Sequence, residues 1–342
     1  MNIGLGGNTM EEEKKKKTVS DIIIERFLKD VDEKGTMPWQ RPYERYNSFN
    51  YFTMQTYRGI NRLLLPFGEY LTKNQINEYN KKHNEDFRFQ KGIVWYPVVF
   101  FTVQEKEISK NELLEAFPGH DLSKDGFVGN DKIWTYFIKG GICYKKRNVL
   151  KYTDVADRIH FRNSKGDYLP SRLDMGDVTL VLEEPKRVLE DYIKRENIDL
   201  ITDSSGTPCY RPLLDRVELN PHVKSEDSWY SIAFHEIAHS SGHSSRLNRK
   251  GVNYPDGLGP KAKDNIYAVE ECIAEITASL LCAECGIHSM ETSGSQIYDN
   301  NIAYVQSWKK QILDWGREFI YIVSQADKAF NFILGDTEDM NR

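Results

Sequence analysis

The feature that most restricts the fold is the pentapeptide His235-Glu236-Ile237-Ala238-His239. Histidines at i and i+4 lie on one face of an α-helix, about one turn apart, so both imidazoles can reach a single ion. Glu236 sits next to the first of them, beside the open coordination position, where it can take a proton from water. The surroundings favour a helix over about Asp227–His243: Ser225 or Asp227 can cap its start, and Ala233, Phe234 and Ile237 give it an apolar flank. Catalytic zinc takes three protein ligands and leaves one place for water, so a chain built around this helix must bring another donor to it.

His243 lies one turn further on. The longer pattern H-E-x-x-H-x-x-G-x-x-H fails, because Gly242 is in place but Ser245 stands at the third-ligand position. A straight helix also carries His243 about 6 Å past His239, which favours a helix-end histidine bonding carbonyls over a ligand. A better source of the third donor is the run Glu270-Glu271-Cys272-Ile273-Ala274-Glu275, on a helix expected at about Asn265–Cys285. Glu271 and Glu275 share one face, so one can bind the ion while the other orients a ligand imidazole from behind. Two like charges on a helix otherwise built of Ile273, Ala274, Ile276, Ala278, Leu280 and Leu281 call for a cation nearby. This helix resembles the acidic helix of glutamate-type zinc peptidases, whose ligand precedes an acid by four residues. That likeness makes Glu271 the ligand and Glu275 the residue outside it, with Glu270 still open. Cys282 and Cys285 form a lone C-x-x-C in a Leu/Ala-rich stretch and read as buried thiols.

Charge excludes two classes of protein. With 46 basic and 51 acidic residues the net charge is −5, so the chain is neither a strongly basic nucleic-acid binder nor a highly acidic mimic, and any DNA site must be a local patch. No run of about 18 apolar residues is long enough to span a bilayer. The N-terminal stretch lacks the apolar core of a signal peptide, and the five cysteines are odd in number and unevenly spaced. The expectation is therefore a cytoplasmic protein with reduced thiols. Its 342 residues suggest two domains.

Residues 1–17, with the run EEEKKKK, read as a solvated tail. Val19, Ile22, Ile23, Phe27 and Val31 predict an amphipathic helix over Thr18–Lys34, which Gly35 and Pro38 stop. Trp39 to Tyr57 reads as irregular with short extended pieces, and Leu71–His83 as a short helix. Val94–Val103 reads as a strand in which Pro97 signals an edge or a bulge. Lys132–Ile138 and Lys145–Thr153 read as strands joined by a hairpin at Gly140-Gly141. A further strand is expected at Val178–Leu182, a helix at Pro185–Glu196, a strand at Val217–Leu219 and a last helical region from about Asn301 to Leu334. The expected fold class is α+β. An aromatic-rich α+β domain occupies 18–170 and a mainly helical domain 171–342, with the boundary in the 165–185 stretch.

Of the 6 Trp, 19 Tyr and 16 Phe, roughly 25 fall between Thr18 and Lys165, which is consistent with a stacking platform for unpaired bases. Arg41, Arg45, Arg58, Arg62, Arg88, Lys91, Lys145, Lys146 and Arg147 are interleaved with them and can hold phosphates. Composition alone favours the other reading, in which the rings build a core and the cations are solvated.

Several stretches in order resemble the ArdC antirestriction family of plasmids and other mobile elements. They are TVSDIIIERF with MPWQRPY, YRGINRLLL, YLTKNQI, PVVFF, NVLKYTDV, CYRPLLDRVELNPH, WYSIAFHEIAHSSGHSSRLNR, YAVEECIAEITASLLCAECGI and NNIAYVQSWKKQI. The likeness runs from about residue 18 to the end, and H-E-x-x-H followed by S-G-H-S-S-R-L is its most specific part. It implies an N-terminal single-stranded-DNA-binding domain and a C-terminal zincin-like metallopeptidase domain. It also implies Zn²⁺ on His235, His239 and an acid of the Glu270–Glu275 helix, with Glu236 as catalytic base. It raises Trp39, Tyr57, Arg58 and Asn61 as DNA-face residues and implies protection of incoming DNA from restriction, with a protein as the possible substrate. Tyr267 is the candidate for a further oxyanion donor. Ser240 and Ser241 depart from the bulkier pair common in the family, and Cys285 is also unusual, departures that bear on substrate preference. The alternative is a DNA-binding shield whose metal is structural and closed by a fourth ligand such as His243.

Overall fold

In the computed structural model of the chain, residues 17–40, 48–173, 183–223, 225–253, 260–287 and 295–336 are described. The expected tail and the strand expected at Val178–Leu182 lie outside them, as do Arg41 and Arg45. The fold is α+β, as expected.

The N-terminal half runs α1 (Val19–Lys34), β1 (Ser48–Asn50), α2 (Ile60–Leu64), β2 (Gly68–Leu71), α3 (Lys73–His83), β3 (Arg88–Phe89), β4 (Tyr96–Ile108), α4 (Lys110–Ala116), β5 (Gly126–Asn130), β6 (Thr135–Lys139), β7 (Ile142–Asp157) and β8 (Phe161–Arg162). Local chemistry sets the helix ends. Thr18 and Asp21 form a capping box at the start of α1, and Thr72 and Gln75 form another at the start of α3. The predicted helix at Leu71–His83 begins two residues late because Leu71 belongs to β2 and Thr72 is the cap. Gly35 closes α1 in the left-handed region at φ 67.

The main sheet has the order β1-β2-β7-β6-β5, with β4 on the other flank of β7. β4 and β7 pair antiparallel in register from Tyr96↔Val155 to Ile108↔Cys143, forming a long ribbon. The hairpin joining β6 to β7 turns at Gly140 and Gly141, with φ 60 and 74, values that suit a two-residue loop and few residues other than Gly. Pro97 sits near the start of β4, the edge strand, where a missing N–H breaks no second ladder.

The C-terminal half runs α5 (Pro185–Glu196), β9 (Asp199–Ile201), β10 (Cys209–Arg211), β11 (Arg216–Glu218), α6 (Glu226–Ser240), α7 (Pro260–Glu284), α8 (Ser295–Trp315) and α9 (Arg317–Leu334). The single helical region expected at the end is two helices, because Gly316 at φ 52 breaks it. β11 is the centre of a small sheet, antiparallel to β10 and parallel to β9. α6 packs on β10 and β11 with one flank and on α7 with the other. The small buried residues Ala233, Ala238 and Ala274 let α6 and α7 approach closely, which brings the histidines of one to the carboxylates of the other.

The largest core crosses the 170/171 division. Ile23, Ile24, Phe27 and Val31 of α1, Trp39, and Ile60, Leu63 and Leu64 of α2 share one cluster with residues of α5, α6, α7 and α9. Trp39 is 2% exposed and meets Phe27, Trp308 and Phe319 at ring distances of 6.0, 6.0 and 6.4 Å. This corrects the expectation of a DNA-facing Trp39: a ring enclosed by three others has no free face for a base. Trp39→Phe should therefore lower stability by about 1–2 kcal/mol, through lost buried area, and leave single-stranded-DNA affinity unchanged. Chemical unfolding and an oligonucleotide titration check the two halves of that statement. No helix among the described residues is long and apolar enough to cross a membrane.

Candidate metal centre

Three side chains from two packed helices converge. His235 and His239 project from α6 and Glu271 from α7, and one donor atom of each lies within 4.8 Å of the others. The two imidazole Nε2 atoms are 3.1 Å apart, and the Glu271 carboxylate oxygens lie 3.5 Å from His235 Nε2 and 3.4 Å from His239 Nε2. A tetrahedral ion with ligand bonds of about 2.0–2.1 Å separates its donors by roughly 3.3 Å, so the set fits a divalent cation. His235, His239 and Glu271 are thus brought together in the structure.

The other acids sort themselves by what they touch. Glu270 accepts from Arg249 at both oxygens, from Nε at 3.0 Å and Nη2 at 2.6 Å, and also meets His239 Nδ1 at 3.3 Å. With both oxygens occupied and the side chain buried, Glu270 is a holder of His239. Glu275 lies 3.8 Å from His235 Nδ1 and stands behind the other imidazole in the same way, at longer range. Both rings therefore present Nε2 to the shared point. His243 is outside the convergent group: it follows the end of α6, and its Nδ1 meets the Ser245 hydroxyl at 2.8 Å.

The electrostatics of the site suit a cation. Burial disfavours charge on His239, but Glu270 and Glu271 outweigh it and raise the imidazole to about 9. Burial pushes Glu271 up, yet His235, His239 and the Tyr267 hydroxyl win and hold its carboxyl well below the ordinary range. Burial raises Glu236 above an ordinary carboxyl, only partly offset by the two histidines and the Tyr210 backbone N–H. A buried, weakly acidic carboxyl beside the ligands has the affinity for protons that a general base needs.

Sequence reasoning missed the supports behind this centre. Arg249 is buried and also donates to the Ser241 hydroxyl at 2.8 Å and the Ala238 carbonyl at 2.7 Å, so it closes the C-terminal end of α6 while fixing Glu270. Arg246 donates to the Ser240 carbonyl at 2.8 Å and pairs with Asp215, which also accepts from Tyr210. Ser240 meets Tyr192 at 3.0 Å, and both serines are fully buried. The Ser240-Ser241 pair is thus buried and takes up contacts with Tyr192 and Arg249. Arginines at these spacings carry no local signal, since their partners lie 21 and 31 residues away in the sequence. Gly251 is a related constraint, because a Cβ there would run into Glu270 Cβ and come 2.9 Å from its Oε2. Gly251→Ala should cost about 1–3 kcal/mol by overpacking and weaken metal binding by displacing Glu270. Competition with a chromophoric chelator measures the second effect.

The residues raised for DNA contact do not form one surface. The Asn61 amide donates to the Val99 carbonyl and accepts from its N–H, both at 2.8 Å, so it serves the join between α2 and β4. Tyr57 is half-buried and packs edge-on against Tyr70. Arg58 and Asn61 line a cleft, with Arg58 near Asp336 at 3.5 Å and the Asn61 amide engaged by Val99. A half-buried ring among cations stands beside the ribbon: Trp134, just before β6, has the Arg147 guanidinium, Lys145 and Lys106 at 4.6, 5.0 and 5.9 Å from its ring.

Similarity to known proteins follows the same division. Residues 187–324 match the model of a zincin-like metallopeptidase, and residues 13–125 that of the N-terminal domain of anti-restriction factor ArdC. The chain is similar to crystal structures of the antirestriction protein ArdC of plasmid R388. The metal-free form has a TM-score of 0.60 at 23% identity and the Mn(II)-bound form 0.57 at 21%, each covering 95% of this chain and 100% of that one. Two Escherichia coli proteins named DNA primase TraC are 25% and 24% identical over 93% of this chain. The chain spans only 20% and 27% of their lengths.

Proposed function

Because the chain belongs to the ArdC-type antirestriction family, with an ArdC N-terminal domain before a zincin-like metallopeptidase domain, we propose that it binds single-stranded DNA and hydrolyses peptide bonds at a zinc centre. Its setting in this reading is the cytoplasm of a cell that receives a mobile element, where it protects incoming DNA. The observation that carries the peptidase half is the convergence of His235, His239 and Glu271 with Glu236 buried beside them. A divalent ion held by those three residues supplies an electrophile that acidifies water and polarises a carbonyl.

The remaining work falls to the protein. Glu270 and Glu275 fix the imidazole orientations, and Tyr267 bears on Glu271. Tyr267 therefore positions a ligand first, whatever it donates to a substrate. Glu236 takes the proton of the attacking water and passes it to the leaving amine. The shield reading needs a closed site, and among the described residues the group has three members, with His243 turned to Ser245.

The DNA half rests on the β4–β7 ribbon and the cations around Trp134. Titrating a labelled oligonucleotide at two salt concentrations tests it. Affinity should fall as salt rises, and single strand should be preferred over duplex. Salt-independent binding would remove this half. Incubating the metal-loaded chain with a mixed peptide library tests the other half: cleavage that a chelator stops is expected, and none at all would remove it.

A further inference from the structure

A cleft of about 780 Å³ lies between the two halves of the molecule, and neither the metal ligands nor the Trp134 cluster lines it. One wall is the face of β4 that carries Phe101, and the other is α9 with Tyr321. Both rings are exposed, at 62% and 59%, although they line a concave surface. Two large aromatic side chains left open in one cleft offer a flat apolar ligand faces to stack on.

The charges point the same way. Arg58, Arg317 and Lys328 line the cleft. Arg58 faces Asp336 at 3.5 Å, while Arg317 and Lys328 have no ion-pair partner among the described residues. On the acidic side is Asp327, whose charge is matched by Arg62 at 2.9 Å, both side chains being 8% exposed. Its Oδ1 makes no hydrogen bond among the described residues despite that approach. The cleft therefore combines stacking faces with cations that have no ion-pair partner among the described residues. A nucleotide matches both: a base to stack and a phosphate to neutralise.

We propose that this cleft holds one unpaired nucleotide of a DNA strand, with its base between Phe101 and Tyr321 and its phosphate on Arg317 and Lys328. The idea rests on the single-stranded-DNA reading above and adds to it a contact from the metallopeptidase half. The occupant is a nucleotide within a strand rather than a free one, in keeping with the single-stranded-DNA reading, and the mononucleotide arm of the test separates the two. Phe101, paired with Leu150, lies on the face of the ribbon opposite the Lys106–Lys145 and Gln104–Arg147 pairs.

The test uses the full chain in its metal-loaded form and an oligonucleotide carrying a photoreactive halogenated uracil. Crosslinks mapped by mass spectrometry should include Phe101 or Tyr321. Tyr321→Ala should weaken oligonucleotide binding about tenfold. Arg317→Ser with Lys328→Ser should lower the slope of log affinity against log salt by about 1.4, two single-strand phosphate contacts at about 0.7 each. Thermal melting of each variant checks that the fold is kept. Crosslinks confined to the Trp134 region, with both variants binding normally, would overturn the cleft while leaving DNA binding intact. Binding of a mononucleotide without crosslinking of the oligonucleotide at the cleft would also overturn it, in favour of a free nucleotide. Wild-type protein that binds no oligonucleotide would fail the underlying reading instead.

Discussion

Glu236→Gln should keep its metal and its affinity for single-stranded DNA and hydrolyse peptides about 10²–10⁴-fold more slowly. Glutamine matches the shape of the acid and can still accept the Tyr210 N–H, but it cannot take a proton from water. The carboxyl is buried and pushed up from its ordinary range, so its charged form carries a desolvation cost that the amide escapes. The variant should accordingly be as stable as the parent or more so. Loss of activity together with loss of metal would place Glu236 among the supports of the site. Full activity would mean that another group is the base.

Arg249→Met should be the most damaging single change outside the ligands. It removes one partner of a buried ion pair and leaves Glu270 charged and unmatched, which costs about 3–5 kcal/mol. It also frees the carboxylate that holds His239 Nδ1 and should weaken metal binding about 10–100-fold. The double variant with Glu270→Gln should recover part of the stability but not the metal affinity, because the methionine removes the need for the charge while the imidazole stays unsupported. Urea unfolding of the metal-free proteins and chelator competition separate the two effects.

The pair has a pH signature as well. Burial alone would raise Glu270, but Arg249 and His239 dominate and lower it. The contribution is therefore fully present above the unfolded Glu range, about pH 4.3, and is lost as pH falls through the lower folded value. The parent should lose stability in acid over that window, and the double variant should lose less.

The helix with both histidines was legible because an i, i+4 spacing needs no tertiary knowledge, and the acidic helix because two carboxylates on an apolar face call for a cation. Which of its acids stands with the two histidines was not legible from the residues alone. Glu270 and Glu271 differ by one position, and what separates them is Arg249, arriving from a loop, which engages both Glu270 oxygens. The aromatic half misled in the same way. Trp39 and Phe27 read equally well as a stacking surface or as a core, and the choice falls to α8 and α9, some 270 residues later, which cover them. Local signals worked where the local chain decides, as at Thr18, Gly140-Gly141 and Pro185. The break at Gly316 was missed because a helical pattern on both sides conceals one left-handed residue.

The most direct measurement is a crystal structure of the chain soaked in a zinc salt, with anomalous scattering recorded at the zinc edge. The account predicts one ion about 2.0–2.2 Å from His235 Nε2, His239 Nε2 and a Glu271 oxygen, with solvent at the remaining position. A peak elsewhere, or a coordination sphere closed by His243 or another protein side chain, would contradict it.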